Sequence, residues 1–176
     1  MPGNQPPGGS KFRLGVFGVF GNWYPLSESE SILEPPMTTP AMSDTTTHGI
    51  RVGATAYYLP DESDPDHDEY FFGYRIVIHN TSDLTVRLIS RHWDIIDGNG
   101  ELKKVDGDGV VGEQPVLGPG QAFRYTSFCP LHTSWGTMEG DYRMQHDTDG
   151  EQFDAKIGRF WLTTERTLSN EQPDAS

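Results

Sequence analysis

Cysteine is nearly absent from this sequence: Cys129 is the one cysteine among 176 residues. A single thiol excludes an intramolecular disulfide framework and a zinc site built from cysteines alone, and the expected setting is the reducing cytoplasm. Basic residues are also scarce, since 13 Lys and Arg stand against 26 Asp and Glu for a formal net charge of -13. Because nucleic-acid binding depends on neutralising phosphates, this charge excludes direct binding to nucleic acid and disfavours an anionic membrane surface.

Long hydrophobic runs are lacking as well. No apolar stretch reaches the roughly 20 residues of a membrane-spanning helix, so no membrane partner is expected. One apolar stretch, residues 12–20, contains Gly15 and Gly18 and lacks the flanks of a signal peptide. Only 34% of the residues are hydrophobic, so part of the chain is expected to lie outside the core of a single domain.

The composition divides the chain into three parts. Residues 1–41 hold seven of the 13 prolines, and we predict a flexible N-terminal extension over residues 1–48. Met42 opens an ordinary polar stretch and is a candidate for the true start of the protein, with Met1 as the alternative. Residues 49–162 form the predicted domain, and residues 163–176 form a polar C-terminal tail.

Within residues 49–162, short apolar or alternating runs are separated by turn signals, and no window has a helical period. The strand patterns cover residues 50–59, 70–79, 84–97, 101–105, 110–117, 121–129, 137–145 and 152–160. Seven or eight antiparallel strands of this length predict an all-β fold, namely a fibronectin-III/immunoglobulin-like antiparallel β-sandwich.

A glycine motif occupies the segment Gly107–Gly112 and matches G-x-G-x-x-G. A dinucleotide site needs this turn at the start of a helix, whose free amides hold the pyrophosphate. Val110, Val111 and Pro115 do not favour a helix there, so glycine-enabled turns are the preferred interpretation. A looser anion nest of backbone amides at Gly107, Gly109 and Gly112 is the alternative.

An acidic run covers residues 61–69 and is the candidate site for hard cations such as Mg²⁺ or Co²⁺. It lacks the glycine and spacing of an EF-hand, so a solvated loop with weak cation attraction is predicted. Its six carboxylates belong to Asp61, Glu62, Asp64, Asp66, Asp68 and Glu69. No cofactor is expected to be required.

A partner-binding surface is predicted around the tripeptide Arg91-His92-Trp93, because Arg and Trp anchor many interfaces. Pro115 adds to it, since proline in a short strand indicates a sheet edge, and Glu113 lies beside it. The alternative places Trp93 in the core with Arg91 bound to an acidic neighbour. Cys129 and His132 are three residues apart, but a small buried thiol is the stronger interpretation.

Several motifs, in order and at consistent spacing, resemble the ApaG family over residues 49–162. They are residues 70–76 (YFFGYRI), 88–100 (LISRHWDIIDGNG), 109–120 (GVVGEQPVLGPG), 125–131 (YTSFCPL) and 136–142 (GTMEGDY). The dipeptide Ser134-Trp135 departs from the family, which more often has a small, proline-bearing turn there.

The resemblance implies a fibronectin-III-like sandwich, a link to Co²⁺ and Mg²⁺ resistance, and kinship with domains that bind other proteins. It also implies pyrophosphate binding as a candidate activity, because of the glycine motif, but it identifies no catalytic residue. Three function classes follow: a non-enzymatic cytoplasmic adaptor, a direct binder of metal or metal–pyrophosphate, and an enzyme on such a substrate. The adaptor is preferred, with an unidentified protein partner, which the charge favours as basic, and with a homo-oligomer as an alternative.

Overall fold

Alternation of apolar and polar residues produces ten β-strands in the computed structural model, which describes residues 20–24 and 42–164. The strands are β1 Phe20–Tyr24, β2 Met42–Thr47, β3 Ile50–Tyr58, β4 Tyr70–Asn80, β5 Val86–Asp97, β6 Leu102–Asp108, β7 Val116–Leu117, β8 Ala122–Leu131, β9 Trp135–His146 and β10 Gln152–Thr163. Two 3-10 turns, Pro60–Glu62 and Pro65–His67, are the helical elements of the described residues.

The strands form two antiparallel sheets that pack face to face. The first has the order β1-β8-β4-β3-β2, and the second has the order β10-β9-β5-β6, with β7 also pairing with β5. Strand β10 contacts β2 and β3 across the interface between the sheets. The predicted all-β antiparallel sandwich is therefore confirmed.

The predicted boundary of the N-terminal extension, residues 1–48, needs correction. Strand β2 lies inside that range and pairs with β3 from Met42↔Thr55 to Thr47↔Ile50, and β1 pairs with β8. An edge strand needs only one buried face, so the polar, threonine-rich sequence of β2 hid it. The rest of residues 1–41, and residues 165–176 of the predicted tail, lie outside the described residues.

The single strand predicted over residues 110–117 is also wrong. The amide of Val110 donates to the Glu113 carbonyl at 2.8 Å and the Glu113 amide donates back at 2.9 Å. Val111 and Gly112 between them have φ of 59° and 74°, as in a two-residue hairpin turn of type I′. A β-branched residue is unfavourable in that conformation, at a cost of about 1–3 kcal/mol for Val111.

The interior confirms the predicted alternation, since every second residue of the central strands is buried. Of the residues that the alternation directs inward, Phe72, Tyr74, Ile76, Ile78, Met138, Tyr142, Met144, Ala155 and Ile157 are buried, whereas Gly140 and Phe153 are half-buried. Trp93 packs at their centre, with its ring centroid 5.6 Å from that of Tyr74 and 6.0 Å from that of Phe160. The Tyr125 and Tyr142 hydroxyls, one from each sheet, share a hydrogen bond of 2.5 Å.

Asn80 closes the end of β4 as a fully buried polar residue. Its side-chain amide donates to the Leu84 carbonyl at 2.7 Å and to the Leu117 carbonyl at 2.9 Å. Its side-chain oxygen accepts from the Ser82 amide at 3.0 Å. One side chain therefore satisfies backbone groups of the loop after β4 and of strand β7.

Replacing Asn80 by Ala is expected to lower the free energy of unfolding by about 2–4 kcal/mol, because two carbonyls lose their donor at a cost of about 1–3 kcal/mol each. Denaturant titration measures this loss. Asn99→Ala, at an exposed hairpin position, is the matched control and is expected to change stability by less than about 0.5 kcal/mol. Equal effects of the two substitutions would contradict the structural role of Asn80.

Candidate functional site

Strand β5 places the three predicted interface residues on different surfaces. Trp93 points inward and is only 2% exposed, because its ring fills the space between the sheets, so it is not the exposed contact residue that was predicted. His92, the next residue, points to the outer face of the sheet. Arg91 lies on the same side as Trp93, but at the rim of the sandwich.

The Arg91 side chain binds backbone rather than the acidic neighbour that the alternative interpretation expected. Its Nη1 donates to the Gly109 carbonyl at 2.8 Å and to the Asp108 carbonyl at 3.2 Å. The guanidinium lies against Gly107, where an added Cβ would come within 2.9 Å of Arg91 Cζ. Arg91 therefore holds the end of β6 and the start of the following turn in place.

The glycine motif is a strand end followed by a turn, not the start of a helix. Gly109 has a φ of 58°, and an added Cβ would lie 2.1 Å from the Glu113 carbonyl oxygen, so glycine is required there. The amide of Gly109 donates to the Ile89 carbonyl at 2.8 Å, and that of Val110 is bound within the turn. Two amides of this segment are therefore already bound within the protein, and Gly109 does not offer its amide to the anion nest predicted at Gly107, Gly109 and Gly112.

A cavity of about 40 Å³ opens between the two sheets beside β6, and we call it the inter-sheet cavity. Its lining includes Arg91 and Trp93 of β5, Val105 of β6, Val111 of the turn and Ser127 of β8. The indole Nε1 of Trp93 is buried and has no hydrogen-bond partner among the described residues. Since an unpaired buried donor is costly, an acceptor that reached Nε1 would stabilise it.

The cavity lies next to an open sheet edge. Strand β6 is the last strand of its sheet, and Leu102 at its start is 53% exposed. Glu113 is exposed, whereas Pro115 is buried and its carbonyl accepts the Leu88 amide at 3.0 Å. Pro115 is therefore not a contact residue, because its ring lies inside, although it precedes a strand at the edge of the sheet, as predicted.

His92 lies between carboxylates on the outer face. Its Nδ1 is 2.6 Å from Asp106 and its Nε2 is 3.3 Å from Asp94, which also pairs with Lys104 at 3.0 Å. The hydrogen bond to Asp106 raises the pKa of His92, with Asp94 and Asp141 adding to the effect. Within residues 42–164 both ring nitrogens face carboxylates rather than a hydroxyl or thiol, so this pair does not make an activated nucleophile.

Asp106→Asn is expected to lower the pKa of His92, because the hydrogen bond to Asp106 is the largest cause of the raised value. A raised pKa in the folded state adds stability that is fully present below the unfolded value of about 6.5 and is lost as the pH rises through the folded pKa. The variant should therefore lose most stability relative to wild type at mildly acidic pH. NMR titration of the His92 ring and pH-dependent denaturation measure both effects, with Asp108→Asn as the control. An unchanged His92 titration in Asp106→Asn would contradict the assignment.

The acidic run forms two 3-10 turns joined by a bridge between Asp64 and Glu69. His67 Nδ1 lies 2.7 Å from Asp64 Oδ2, and this hydrogen bond raises the pKa of His67. The six carboxylates point apart: none belongs to a converging set of three ligands among the described residues. The run thus supplies charge, but the structure does not assemble it into a cation site.

A different cluster does converge, at the hairpin between β9 and β10. Ligand atoms of His146, Asp149 and Glu151 all lie within 4.8 Å of one another. The His146 ring packs edge-on against Phe153, with centroids 5.0 Å apart. Sequence reasoning missed this set, although the spacing of a histidine and two carboxylates around the Asp147–Gly150 turn was a signal for it.

Cys129 is 3% exposed, and burial raises the pKa of its thiol to about 12. His132 Nδ1 instead lies 3.2 Å from the Asp68 carbonyl oxygen. The predicted small buried thiol agrees with this arrangement, since a thiol with such a pKa is not a nucleophile at neutral pH. None of the described residues forms a helix long and apolar enough to cross a bilayer.

The fold and site define a β-sandwich domain with a small cavity at one open edge. A family model described as the ApaG domain matches residues 60–146. Protein ApaG of Azoarcus sp. (strain BH72) is 50% identical over 127 residues, covering 72% of this chain and 99% of the relative. Protein ApaG of Methylobacterium nodulans is 54% identical over 116 residues, covering 66% and 88%.

Solved structures agree with this relationship. The crystal structure of a Bordetella pertussis protein described as ApaA has 44% identity and a TM-score of 0.65, covering 67% of this chain and 95% of that one. This chain belongs to the ApaG family.

Proposed function

We propose that this protein is a non-enzymatic binding module that recognises a protein partner at the β6 edge and the inter-sheet cavity. The observation that carries the proposal is the buried Trp93 indole, which has no acceptor among the described residues and lines a cavity beside β6, the last of the described strands of its sheet. A partner segment laid along β6 adds main-chain hydrogen bonds, and a side chain or carbonyl in the cavity accepts from Trp93.

The chemistry of the site supports binding more than catalysis. An enzyme needs a nucleophile or acid and base converging with electrophilic donors on one point. The Cys129 thiol is buried, and the His92 ring is held between carboxylates. We place the module in the cytoplasm, in the Co²⁺ and Mg²⁺ homeostasis that the family resemblance implies, and the -13 charge favours a basic partner.

A photo-cross-linking residue placed at Leu102 or Glu113 is expected to form an adduct with the partner in lysate of the source cells. Glu113→Lys should weaken the Leu102 adduct several-fold and leave the thermal midpoint unchanged, because Glu113 is exposed and a reversed charge slows the approach of a basic partner. Arg91→Ala is unsuitable here, since it leaves the Asp108 and Gly109 carbonyls without their donor.

The control places the cross-linker at exposed Asp149 in the hairpin between β9 and β10. Adducts of equal strength from Asp149, or full adduct formation by Glu113→Lys, would place the interface elsewhere. Turnover of a phosphate or nucleotide substrate that requires His92 would overturn the non-enzymatic proposal.

Direct binding of a divalent metal is a second candidate, favoured by the convergence of His146, Asp149 and Glu151. Imidazole is a good ligand for Co²⁺ and Zn²⁺, whereas Mg²⁺ prefers an all-oxygen shell. Three ligands at an exposed hairpin leave the remaining positions to water, so the affinity is expected to be weak. The acidic run, Asp61 to Glu69, adds diffuse attraction without specificity.

Titration of the isotope-labelled chain with Co²⁺ is expected to broaden NMR signals around His146 first, and His146→Ala should abolish that local effect. His67→Ala is the matched control, because His67 is also beside a carboxylate but lies in the acidic run. Broadening centred on residues 61–69 that survives His146→Ala would contradict the hairpin site.

A further inference from the structure

The outer face of the β10-β9-β5-β6 sheet carries an exposed apolar area at one end. Trp161 pairs with Thr137, Thr137 with Ile96, and Ile96 with Leu102, so the four residues form one row across the sheet. The residues on either side of Trp161 and of Thr137, and Ile95 before Ile96, are buried on the inner face, which places this row outside. Trp135 lies beside the row, and we call Trp135, Trp161, Ile96 and Leu102 the tryptophan patch.

The patch is both exposed and preorganised. Trp135 and Trp161 are 44% and 43% exposed, and their rings lie 5.7 Å apart at 31°. Trp135 rests on the turn after β5, where a Cβ on Gly98 would lie 2.9 Å from the indole Nε1. The Gly98 amide donates to Thr133 Oγ1 at 2.9 Å, which fixes that turn. Contiguous exposed apolar surface of this kind marks an interaction site.

The path of β2 leads back toward this patch. The Lys156 amide donates to Thr47 Oγ1 at 3.2 Å, and a Cβ on Gly158 would lie 2.5 Å from Thr45 Oγ1 and 3.2 Å from Ser43 Cβ. Thr47 therefore lies beside Lys156, whereas Thr45 and Ser43 lie beside Gly158. Followed from Thr47 to Met42, β2 runs along β10 in the direction of Trp161. At about 3.3 Å per residue, Trp161 lies about 10 Å beyond Gly158. The amino-terminal end of β2 thus points toward the tryptophan patch.

The six residues at 35–40, which precede β2 in the sequence, read Pro-Pro-Met-Thr-Thr-Pro. Proline-rich sequences favour the polyproline II conformation. Aromatic surfaces bind this conformation, because a preformed segment loses little further conformational entropy when it binds. At about 3.1 Å per residue the segment spans about 19 Å. The row from Trp161 to Leu102 crosses three strand spacings, or about 14 Å, so the segment is long enough to cover the row. We propose that residues 35–40 bind the tryptophan patch of their own chain.

A nitroxide label at Met37→Cys in the full-length chain tests this contact. Cys129 remains in place, since its thiol is buried. The indole N–H signals of Trp135 and Trp161 should be lost relative to the reduced, diamagnetic label. Substituting Ala for Pro35, Pro36 and Pro40 in the labelled chain should restore them, because the segment then loses its preferred conformation and its ring contacts.

The matched control carries the label at Ser10→Cys, in another proline-containing part of the N-terminal region, and should leave both signals intact. Persistence of the Trp135 and Trp161 signals with the Met37 label would overturn the proposal. Loss of these signals with a label at Ser169→Cys, but not at Met37, would assign the patch to the C-terminal segment. Broadening that grows with protein concentration would assign it to a second copy, and either result overturns the proposal.

Discussion

The position of Trp93 between the sheets decides where the rest of the site lies. A strand alternates its side chains, so an inward Trp93 forces His92 and Asp94 outward and turns Arg91 toward the rim of the same interior. The indole packs against Tyr74, Phe160 and Tyr142, which come from three other strands. Its Nε1 has no acceptor among the described residues, and the same residue lines the inter-sheet cavity. The core and the candidate site therefore depend on the same side chain.

The sequence predicted the parts of the fold that follow from strict alternation, such as the inward rows of β4 and β9. It did not predict β2, because an edge strand buries one face only and its threonines read as a polar tail. The turn at Val111 was hidden for a different reason. Its conformation depends on the pairing of Gly109 with Ile89 and on the Arg91 contacts, which bring together distant parts of the chain.

The candidate site was likewise predicted only in part from the sequence. Arg91 and Glu113 were predicted to lie near each other, and they do lie on one rim, since Arg91 holds the turn that ends at Glu113. Trp93 and Pro115 had the residue types of contact positions, yet side-chain type does not reveal which face of a strand is buried. The cluster at His146 was missed because its members converge only when the hairpin closes, although their spacing around the Asp147–Gly150 turn was a signal for it.

Charge and apolar surface are separated on the outer face of the second sheet. Toward the His92 end, cross-strand ion pairs such as Arg143–Asp154 and Lys156–Asp141 cover the strands, and each exposed pair contributes less than about 1 kcal/mol. Toward the other end lies the tryptophan patch, whose energy comes from area rather than charge. A further concentration of carboxylates lies in residues 61–69, in a separate loop between β3 and β4. Charges interact over about 8 Å in physiological salt, whereas apolar surfaces interact only in direct contact. The acidic loop therefore acts on the association rate of a basic segment, and the cavity and the patch act on its dissociation rate.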